Sequence, residues 1–584
     1  MTRTEFDQVC AGPISGDTMA LLENAQHSQR RLAFRALVDQ LRRAPQTIGR
    51  LVDPEGAWRI IAAAEQRDPG AVADLLMYPT VGVWLTRALH YTRPGTTAVW
   101  PELGYLHLIA AAAAIRTGHR CAVRVPVWRG VVSLPTVGHV RVPGTFPVGS
   151  AEVSCAGHAS RLRLGRTVSM PLDGSDSAFT PARQHTTTAN GSTLRAWVDD
   201  HDPYHGFAEP RPPADLTDVM LSEWHKLLDE AWDVLVHHHP AYARELTSGL
   251  RALMPIGPGG DTVGASSPAA FGGIRLSADG TATEFAEAMV HEMQHSKLNA
   301  LMTMVRLGNG DNERRYLAPW RDDPRPLVGL IHGVYAFTCG VEFWLSQSSV
   351  VAENEARTID FDMVRRRLQV RRALDTITAS GLLTAPGQAL VDVVSARLAV
   401  CEEVPVHPAL SATVTAVVDD HQALWRLRHT RPDARAVSEL VTAWLGGAAP
   451  PAWPGGAAVG TDDERRLPAN RRNLLRAKAT DPELFRSLVR SPTALPGTTP
   501  RADAALCTGD FAGAAHGYED RLRADADDVT AWAGLGLALR AQGNEAASLL
   551  EQPEVTFAVY RGIRARGSPL PAASELATWV NQAL

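Results

Sequence analysis

The sequence has little that points to nucleic acid or to a membrane. Its 584 residues carry a formal net charge of −5, and a surface for binding nucleic acid would need an excess of basic residues. The only lysines are Lys226, Lys297 and Lys478, so almost all positive charge is arginine. The longest apolar run, 106–115, is far short of the roughly 20 residues that cross a bilayer. We therefore expect no binding to nucleic acid and no membrane span.

Cysteine is also scarce and scattered. None of the six cysteines belongs to a Cys-x-x-Cys pair, which excludes a thiolate zinc site and a thioredoxin-like motif. The first residues, MTRTEFDQVCAG, lack the basic segment and apolar run of a signal peptide. We therefore expect a cytoplasmic protein with reduced thiols.

The chain is too long for one hydrophobic core, because cores stop growing near 250–300 residues. Composition and periodicity predict an α+β protein that is mostly α-helical. Four regions are expected: a helical region at 1–120, a β-containing and metal-binding region at 121–446, a Pro/Gly-rich linker at 447–456, and a helical module at 457–584.

Within these regions the pattern is more specific. Valine-rich, alternating segments at 121–169 and a glycine-containing strand at 271–277 predict a small sheet beside the metal-binding helix. The polar stretch 171–196 reads as a loop. Residues 503–543 resemble one tetratricopeptide repeat, a helix pair with Gly and aromatic residues in the expected order. A lone repeat cannot bury its faces, so we expect this module to be structural.

The strongest motif is His291-Glu292-Met293-Gln294-His295. Periodicity predicts a helix from about 284 to 306, which Thr283 can cap. Residues four apart project from the same helix face, so both imidazoles can reach one ion at about 2 Å. Apolar neighbours on this helix favour a buried metal site over two surface histidines with a solvated glutamate.

A metal site on this helix needs a third protein ligand. The metzincin pattern would place histidine at 301, where the chain has Leu301. We prefer His332, a lone histidine in an apolar helix that follows after one loop, although a core histidine with satisfied hydrogen bonds is the common explanation of such a residue. Carboxylates remain alternatives, namely Glu292, Asp322, Glu342 and, more weakly, Glu353 and Glu355.

The loop between these two helices, RRYLAPWRDDPRP at 314–326, is rich in proline and arginine. Prolines restrict its backbone, and arginine is the natural bidentate partner of a carboxylate. The loop could bind an anion. The alternative is a solvated loop whose arginines pair with Asp322 and Asp323.

Together, the helix AEAMVHEMQHSKLNALM, the loop YLAPWRDDPRP and the helix GLIHGVYAF resemble the HExxH-type, 2-oxoglutarate-dependent peptide β-hydroxylases. These enzymes modify ribosomally synthesised peptides. The segments DDHDPYHGF and FGGIRLS also look like elements of that family. The resemblance covers about 200–345 well and the rest of the chain loosely.

This resemblance implies an Fe(II) enzyme that uses 2-oxoglutarate and O₂ to hydroxylate a side-chain β-carbon of a precursor peptide. By position, His291, His295 and His332 would be the metal ligands. Arg321 or Arg325 would hold the 2-oxoglutarate carboxylate, with Tyr316 and Trp320 in the same cosubstrate-binding loop.

Three histidines depart from the two-His, one-carboxylate set of most non-haem iron oxygenases. Without the resemblance, the motif has its usual meaning, a zinc metallopeptidase with Glu292 as catalytic general base. In the hydroxylase, Glu292 would instead support the site or orient substrate.

Overall fold

The computed structural model describes most of the chain, namely residues 1–44, 51, 53–91, 100–142, 148–157, 159–165, 168–214, 216–257, 263–309, 313–348, 353–460, 466–492, 496–545 and 547–584. The chain forms two compact units, Met1–Arg306 and Leu307–Leu584. Helices dominate and several sheets are present, which confirms the mostly helical α+β class. The boundary between the two units falls inside the predicted region 121–446, and the division into four regions stays a prediction.

The first unit begins with helices, as predicted. They are α1 (Arg3–Cys10), α2 (Gly16–Arg43), α3 (Pro54–Arg67), α4 (Pro69–Leu76), α5 (Pro79–Tyr91), α6 (Trp100–Leu103) and α7 (Tyr105–Thr117). Side chains of Ser, Thr or Asp cap α1 to α4. Their oxygens accept hydrogen bonds from the otherwise unpaired backbone N–H groups of the first helical turn. The apolar α7 is buried along most of its length and packs against strands of the sheet that follows.

That sheet has seven antiparallel strands in the order β6-β5-β4-β1-β2-β3-β7. The strands are β1 (Cys121–Trp128), β2 (Val131–Leu134), β3 (Gly138–Arg141), β4 (Val148–Ala156), β5 (Ala159–Leu164), β6 (Val168–Pro171) and β7 (Phe179–Pro181). Alternation along β5 places Ser160 and Leu162 inside and their neighbours outside, which gives the period of two that predicted these strands.

A second sheet of five strands has the order β11-β12-β10-β9-β8. It comprises β8 (Arg183–Ala189), β9 (Ser192–Val198), β10 (Ala252–Ile256), β11 (Gly264–Ala265) and β12 (Gly273–Ser277), with α8 (Asp218–His238) and α9 (Pro240–Gly249) between β9 and β10. Two predictions are therefore wrong. The stretch 171–196 holds most of three strands instead of a loop, and the 271–277 strand belongs to a different sheet from the 121–169 strands.

The last helix of the first unit is α10 (Ala282–Met302), which carries the HExxH motif. It packs against β12, β11, α8, α2 and α9. Fourteen of its residues are buried, so it is a core helix.

The second unit is almost wholly helical. Its helices are α11 (Leu327–Gln347), α12 (Glu353–Ala379), α13 (Ala385–Glu402), α14 (Pro408–His429), α15 (Ala434–Leu445), α16 (Asn470–Thr480), α17 (Pro482–Arg490), α18 (Pro500–Thr508), α19 (Phe511–Ala524), α20 (Val529–Ala541), α21 (Ala547–Leu550), α22 (Pro553–Ala565) and α23 (Ala573–Asn581). A short hairpin-like pair, β13 (Thr430–Pro432) and β14 (Ala457–Val459), lies on either side of α15 in the chain. The apolar periodicity of 410–446 predicts a single helix. This prediction is wrong, because β13 and Asp433, which caps α15, divide the segment.

The core of the second unit joins α14 and α15 to the C-terminal helices. One apolar cluster contains Leu424 and Leu440 together with Tyr518, Trp532 and Leu576. The helix pair expected for the repeat-like segment is present as α19 and α20, which pack against each other.

One described helix, α11, is long and apolar enough to cross a membrane by length and composition alone. However, 72% of its most apolar window is buried inside the protein, as in the core helix of a globular protein.

Candidate functional site

Helix α10, which carries the HExxH motif, begins with a capping box. Thr281 accepts a hydrogen bond from the backbone N–H of Glu284 at 3.2 Å, and the Glu284 carboxylate accepts one from the N–H of Thr281 at 2.8 Å. Thr281 is therefore the cap, and the expectation of Thr283 was wrong by two residues. The reciprocal bonds satisfy two N–H groups of the first turn, which fixes where the helix starts.

His291 and His295 face each other on one side of α10. Their Nε2 atoms lie 3.2 Å apart, and their ring planes cross at 84°. Two ligands held about 2.1 Å from one ion would have this separation at a bond angle of roughly 100°. This angle lies between octahedral and tetrahedral values, so the separation of the two Nε2 atoms is compatible with two ligands of one first-row metal ion.

Glu292 points from α10 towards the edge strand β11. Its side chain is only 6% exposed, and a Cβ atom placed on Gly264 would lie 2.7 Å from its Oε1. Oε2 has no hydrogen-bond partner among the described residues. Burial raises the pKa of Glu292 to about 7, against the opposing effect of a hydrogen bond from Ser266. The carboxyl group is therefore able to hold or release a proton near neutral pH.

The other side of α10 carries a buried polar network that sequence reasoning missed. Lys297 donates to Glu245 at 2.8 Å and to the carbonyl of Gly12 at 2.6 Å. Glu245, on α9, also accepts from Gln294 at 2.6 Å and from the backbone N–H of Ile14 at 2.7 Å. These bonds fix the rotation of α10, and hence the direction in which the two histidines point.

His332 lies in the second unit, on α11, as predicted. The side chain is half-buried, and its surroundings lower the pKa of the imidazole to about 4 by desolvation. The ring is therefore neutral at pH 7, which is the form that binds metals. Its part as third ligand stays a prediction.

Arg321 and Arg325 both pair with Asp323 in their own loop. Arg321 Nε lies 2.6 Å from one carboxylate oxygen, and an Arg325 nitrogen lies 3.0 Å from the other. Burial alone would raise the pKa of Asp323, but the hydrogen bond and the charges of the two arginines lower it. The loop thus has the paired arrangement that was the alternative to an anion site. The arginine side chains remain 49% and 39% exposed.

The same loop is held by its neighbours within the second unit. Asp322 accepts from the His421 side chain and from the backbone N–H of Leu467, each at 3.0 Å. Gln369 on α12 donates to the carbonyl of Pro319 at 2.6 Å. The loop is therefore rigid for reasons beyond its prolines.

The two aromatic residues of the loop lie in different surroundings. Trp320 packs against Phe337 with ring centroids 4.9 Å apart and the ring planes tilted by 45°, and its ring fills the space that a side chain at Gly333 would need. Trp320 therefore packs on α11 beside His332. Tyr316 pairs its backbone with Arg325, and its ring lines a groove in the second unit.

Two of the alternative carboxylate ligands are engaged elsewhere. Glu342 accepts from Arg397 on α13 through both oxygens, at 2.9 and 2.6 Å, and Asp322 holds the loop as described above. The side chains of Glu353 and Glu355 lie outside the described residues. Within either unit by itself, the described residues hold no group of three or more His, Cys, Asp or Glu side chains that could bind a metal.

The segment 199–207 forms a second buried polar cluster in the first unit. Asp199 accepts from the Tyr78 hydroxyl at 2.5 Å, and the Tyr105 hydroxyl donates to Asp202. His201 stacks on His139 with centroids 4.0 Å apart. A cavity of about 20 Å³ lies among these groups, enough for about one water molecule.

Asp202 makes the stability of the protein depend on pH. Burial and the nearby Asp199 charge raise the pKa of Asp202 from 3.8 to about 7. The folded state then binds the proton more tightly than the unfolded state, so this stabilisation is complete below about pH 4 and is lost as pH rises to about 7. Asp202→Asn keeps the side chain neutral. We expect the variant to gain stability relative to the wild type as pH rises from 5 to 8, measured by urea unfolding.

Histidines that titrate over the same pH range are present in both proteins, so their contribution to the pH dependence of stability cancels in the comparison. Parallel stability profiles over this pH range would show that Asp202 is ionised in the folded protein and that the assigned protonation is wrong.

No protein-family model matches the chain, and no curated protein is significantly similar to it.

Proposed function

We propose that the chain is an Fe(II)- and 2-oxoglutarate-dependent hydroxylase that acts on a side-chain β-carbon of a ribosomally synthesised precursor peptide in the cytoplasm. The observation that carries the proposal is the pair of Nε2 atoms of His291 and His295, 3.2 Å apart. The choice of iron and 2-oxoglutarate rests on the resemblance of the motif helix and the arginine loop to the peptide β-hydroxylases.

In this proposal the residues have separate roles. His291 and His295 hold the metal, with His332 as the third donor, and Arg321 or Arg325 holds a carboxylate of 2-oxoglutarate. When bound, Fe(II) with 2-oxoglutarate and O₂ supplies the oxidant for a C–H bond. The overall reaction converts R–H, 2-oxoglutarate and O₂ into R–OH, succinate and CO₂.

The test is an incubation of anaerobically purified protein with Fe(II), 2-oxoglutarate, O₂ and a precursor peptide encoded beside it. We expect a mass gain of one oxygen atom on the peptide, with succinate formed in equal amount. Peptide cleavage without consumption of 2-oxoglutarate would reject the proposal.

The arginine loop gives a second prediction. A bound carboxylate has to compete with Asp323, and this is feasible because partly exposed ion pairs contribute only about 0–1 kcal/mol. Arg321→Ala or Arg325→Ala should remove a charge-assisted hydrogen bond of about 1.5–3 kcal/mol and so weaken 2-oxoglutarate binding roughly 10- to 100-fold. The measurement is calorimetric titration of the Fe(II) protein with 2-oxoglutarate.

A matched control is Arg435→Ala, because Arg435 is an exposed arginine that pairs with Glu439 on α15. This variant should bind 2-oxoglutarate like the wild type. If both loop variants also do so, neither arginine is the anchor.

A zinc metallopeptidase is the second candidate, favoured by Glu292. Its buried carboxyl group has one oxygen without a partner among the described residues and lies beside the edge strand β11. A peptidase predicts that Glu292→Gln abolishes peptide hydrolysis while Zn²⁺ stays bound. The hydroxylase predicts no hydrolysis in either protein.

A further inference from the structure

Cys121 and Cys155 lie directly opposite each other in the seven-stranded sheet of the first unit. Cys121 is the first residue of β1, and the antiparallel register of β1 and β4 pairs it with Cys155. Residues paired in this way project their side chains from the same face of the sheet. Both cysteines are free thiols, so the fold brings together two thiols that β2 and β3 separate along the chain.

The spacing of opposite residues on two antiparallel strands suits a disulfide. Their Cα atoms are about 4.5–5.5 Å apart, and disulfides join cysteines whose Cα atoms are about 4.4–6.8 Å apart. Their Cβ atoms are about 4.5–5.5 Å apart, whereas a disulfide needs about 3.5–4.5 Å, so the strands have to approach each other slightly. Cys121 and Cys155 form the last pair of the β1–β4 register, where such a movement disturbs the fewest neighbouring pairs.

The pair lies at the margin of the core, where a small reagent can reach it. Cys155 is 5% exposed and belongs to the apolar core of the first unit. Cys121 packs against the same core but is partly exposed. The other four cysteines, all within the described residues, are buried on the helices α1, α11, α13 and α18. Cys121 and Cys155 are therefore the only cysteines that paired strands hold opposite each other.

The two thiols also affect each other's ionisation. The hydrogen bond between them lowers the pKa of Cys155 to about 7 and raises the pKa of Cys121. One thiol of the pair is therefore partly ionised near neutral pH. The thiolate is the form of cysteine that attacks a disulfide, so the pair is reactive under ordinary conditions.

We propose that Cys121 and Cys155 form a reversible disulfide by exchange with a small-molecule disulfide such as glutathione disulfide. One cysteine attacks a sulfur of the oxidant, whose S–S bond breaks, so that a mixed disulfide forms and one thiolate leaves. The second cysteine attacks the mixed disulfide and releases the other thiolate. In total, two protein thiols are oxidised to one disulfide, and the oxidant is reduced to two thiols that take up the two protons. A strained disulfide is more easily reduced, so the pair returns to thiols in a reducing compartment.

The test exposes the reduced, full-length protein to an excess of glutathione disulfide under anaerobic conditions with a metal chelator. Acid stops the exchange because it protonates thiolates, and the protein is then unfolded, alkylated with N-ethylmaleimide and digested for mass spectrometry. We expect the wild type to lose two alkylation sites and to yield the peptides of Cys121 and Cys155 joined by a disulfide that dithiothreitol reverses. The midpoint of thermal unfolding should rise on oxidation, because the cross-link restricts the unfolded chain.

Cys121→Ala should form no cross-link and show no rise in the midpoint. The matched control is Cys401→Ala, because Cys401 is buried on α13 in the second unit, and it should form the cross-link as the wild type does. Should Cys121→Ala fail to fold, Cys155→Ala removes the other half of the pair. The proposal is overturned if both thiols of the wild type stay open to alkylation, if they end as separate mixed disulfides with glutathione, or if the cross-link forms only in urea. The assay contains neither iron nor 2-oxoglutarate, so its outcome does not depend on the proposed hydroxylase function.

Discussion

His295→Ala is expected to abolish binding of Fe(II) at micromolar concentrations. In the proposed site, the Nε2 atoms of His291 and His295 would chelate the ion together, and one imidazole alone cannot replace that pair. Substitution of residues that only hydrogen-bond to metal ligands lowers metal affinity roughly 10- to 100-fold. Loss of a ligand itself should therefore lower the affinity by at least about 100-fold. Anaerobic calorimetric titration of the purified protein with Fe(II) measures this loss directly.

Thermal unfolding provides an independent measurement. A metal that binds only the folded state raises the midpoint, so the wild type should gain stability on addition of Fe(II) and His295→Ala should not. His516→Ala is the control, because His516 is 75% exposed on α19 and pairs with Asp520. An unchanged Fe(II) affinity in His295→Ala would show that α10 is not the metal-binding helix. An unchanged Fe(II) affinity in His332→Ala would show only that His332 is not the third ligand.

The helix that carries the HExxH motif could be predicted because its signals are local. Four-residue spacing places His291 and His295 on one face in any helix, and the predicted span of 284–306 overlaps most of the observed Ala282–Met302. The network behind the helix could not be predicted. Lys297 and Glu245 are 52 residues apart, and nothing in the chain between them shows that they meet.

The error over 171–196 has a different cause. Strands β8 and β9 are rich in Thr and Ser and largely exposed on one face, so their polarity suggested a loop. Asn190 and Gly191 lie between them with φ of 43° and 77°, values that two-residue hairpin turns require and that Asn-Gly satisfies best. The Asn-Gly pair is therefore a local sequence signal for a hairpin between these two strands.

The residue types of the arginine loop, 314–326, do not determine which partners its arginines bind. The arginines were expected to bind either a ligand or the adjacent aspartates, and both alternatives use the same residues. Asp323 pairs with both arginines, whereas Asp322 turns to His421 and Leu467. Only the backbone path of the loop decides which aspartate has which partner. That path depends on Gln369 of α12 and His421 of α14, which lie 50 and 99 residues from their partners in the loop.

Lys297→Met is expected to destabilise the protein by about 3–5 kcal/mol, because it leaves the Glu245 carboxylate buried without its counter-charge. Lys297 is 0% exposed and Glu245 is 1% exposed, so water cannot replace the lost ammonium group. Methionine keeps most of the apolar volume of the lysine stem, which separates the effect of charge from that of a cavity. For a unit of this size the midpoint should fall by roughly 10 °C, measured by calorimetry.

The double variant Lys297→Met/Glu245→Gln tests the cause of this loss. The double variant removes both charges of the buried ion pair and leaves no unpaired charge. It should therefore be more stable than Lys297→Met alone, even though it carries one more substitution. Lys226→Met is the matched control, because Lys226 is 76% exposed and its nitrogen lies 3.8 Å from Glu230; surface changes of this kind stay within about 0.5 kcal/mol. Equal stability of the Lys297 and Lys226 variants would mean that the buried pair does not hold α10. If the pair does hold α10, Lys297→Met should also weaken Fe(II) binding, since Lys297 lies two residues beyond His295 and fixes the rotation of the helix that presents both histidines.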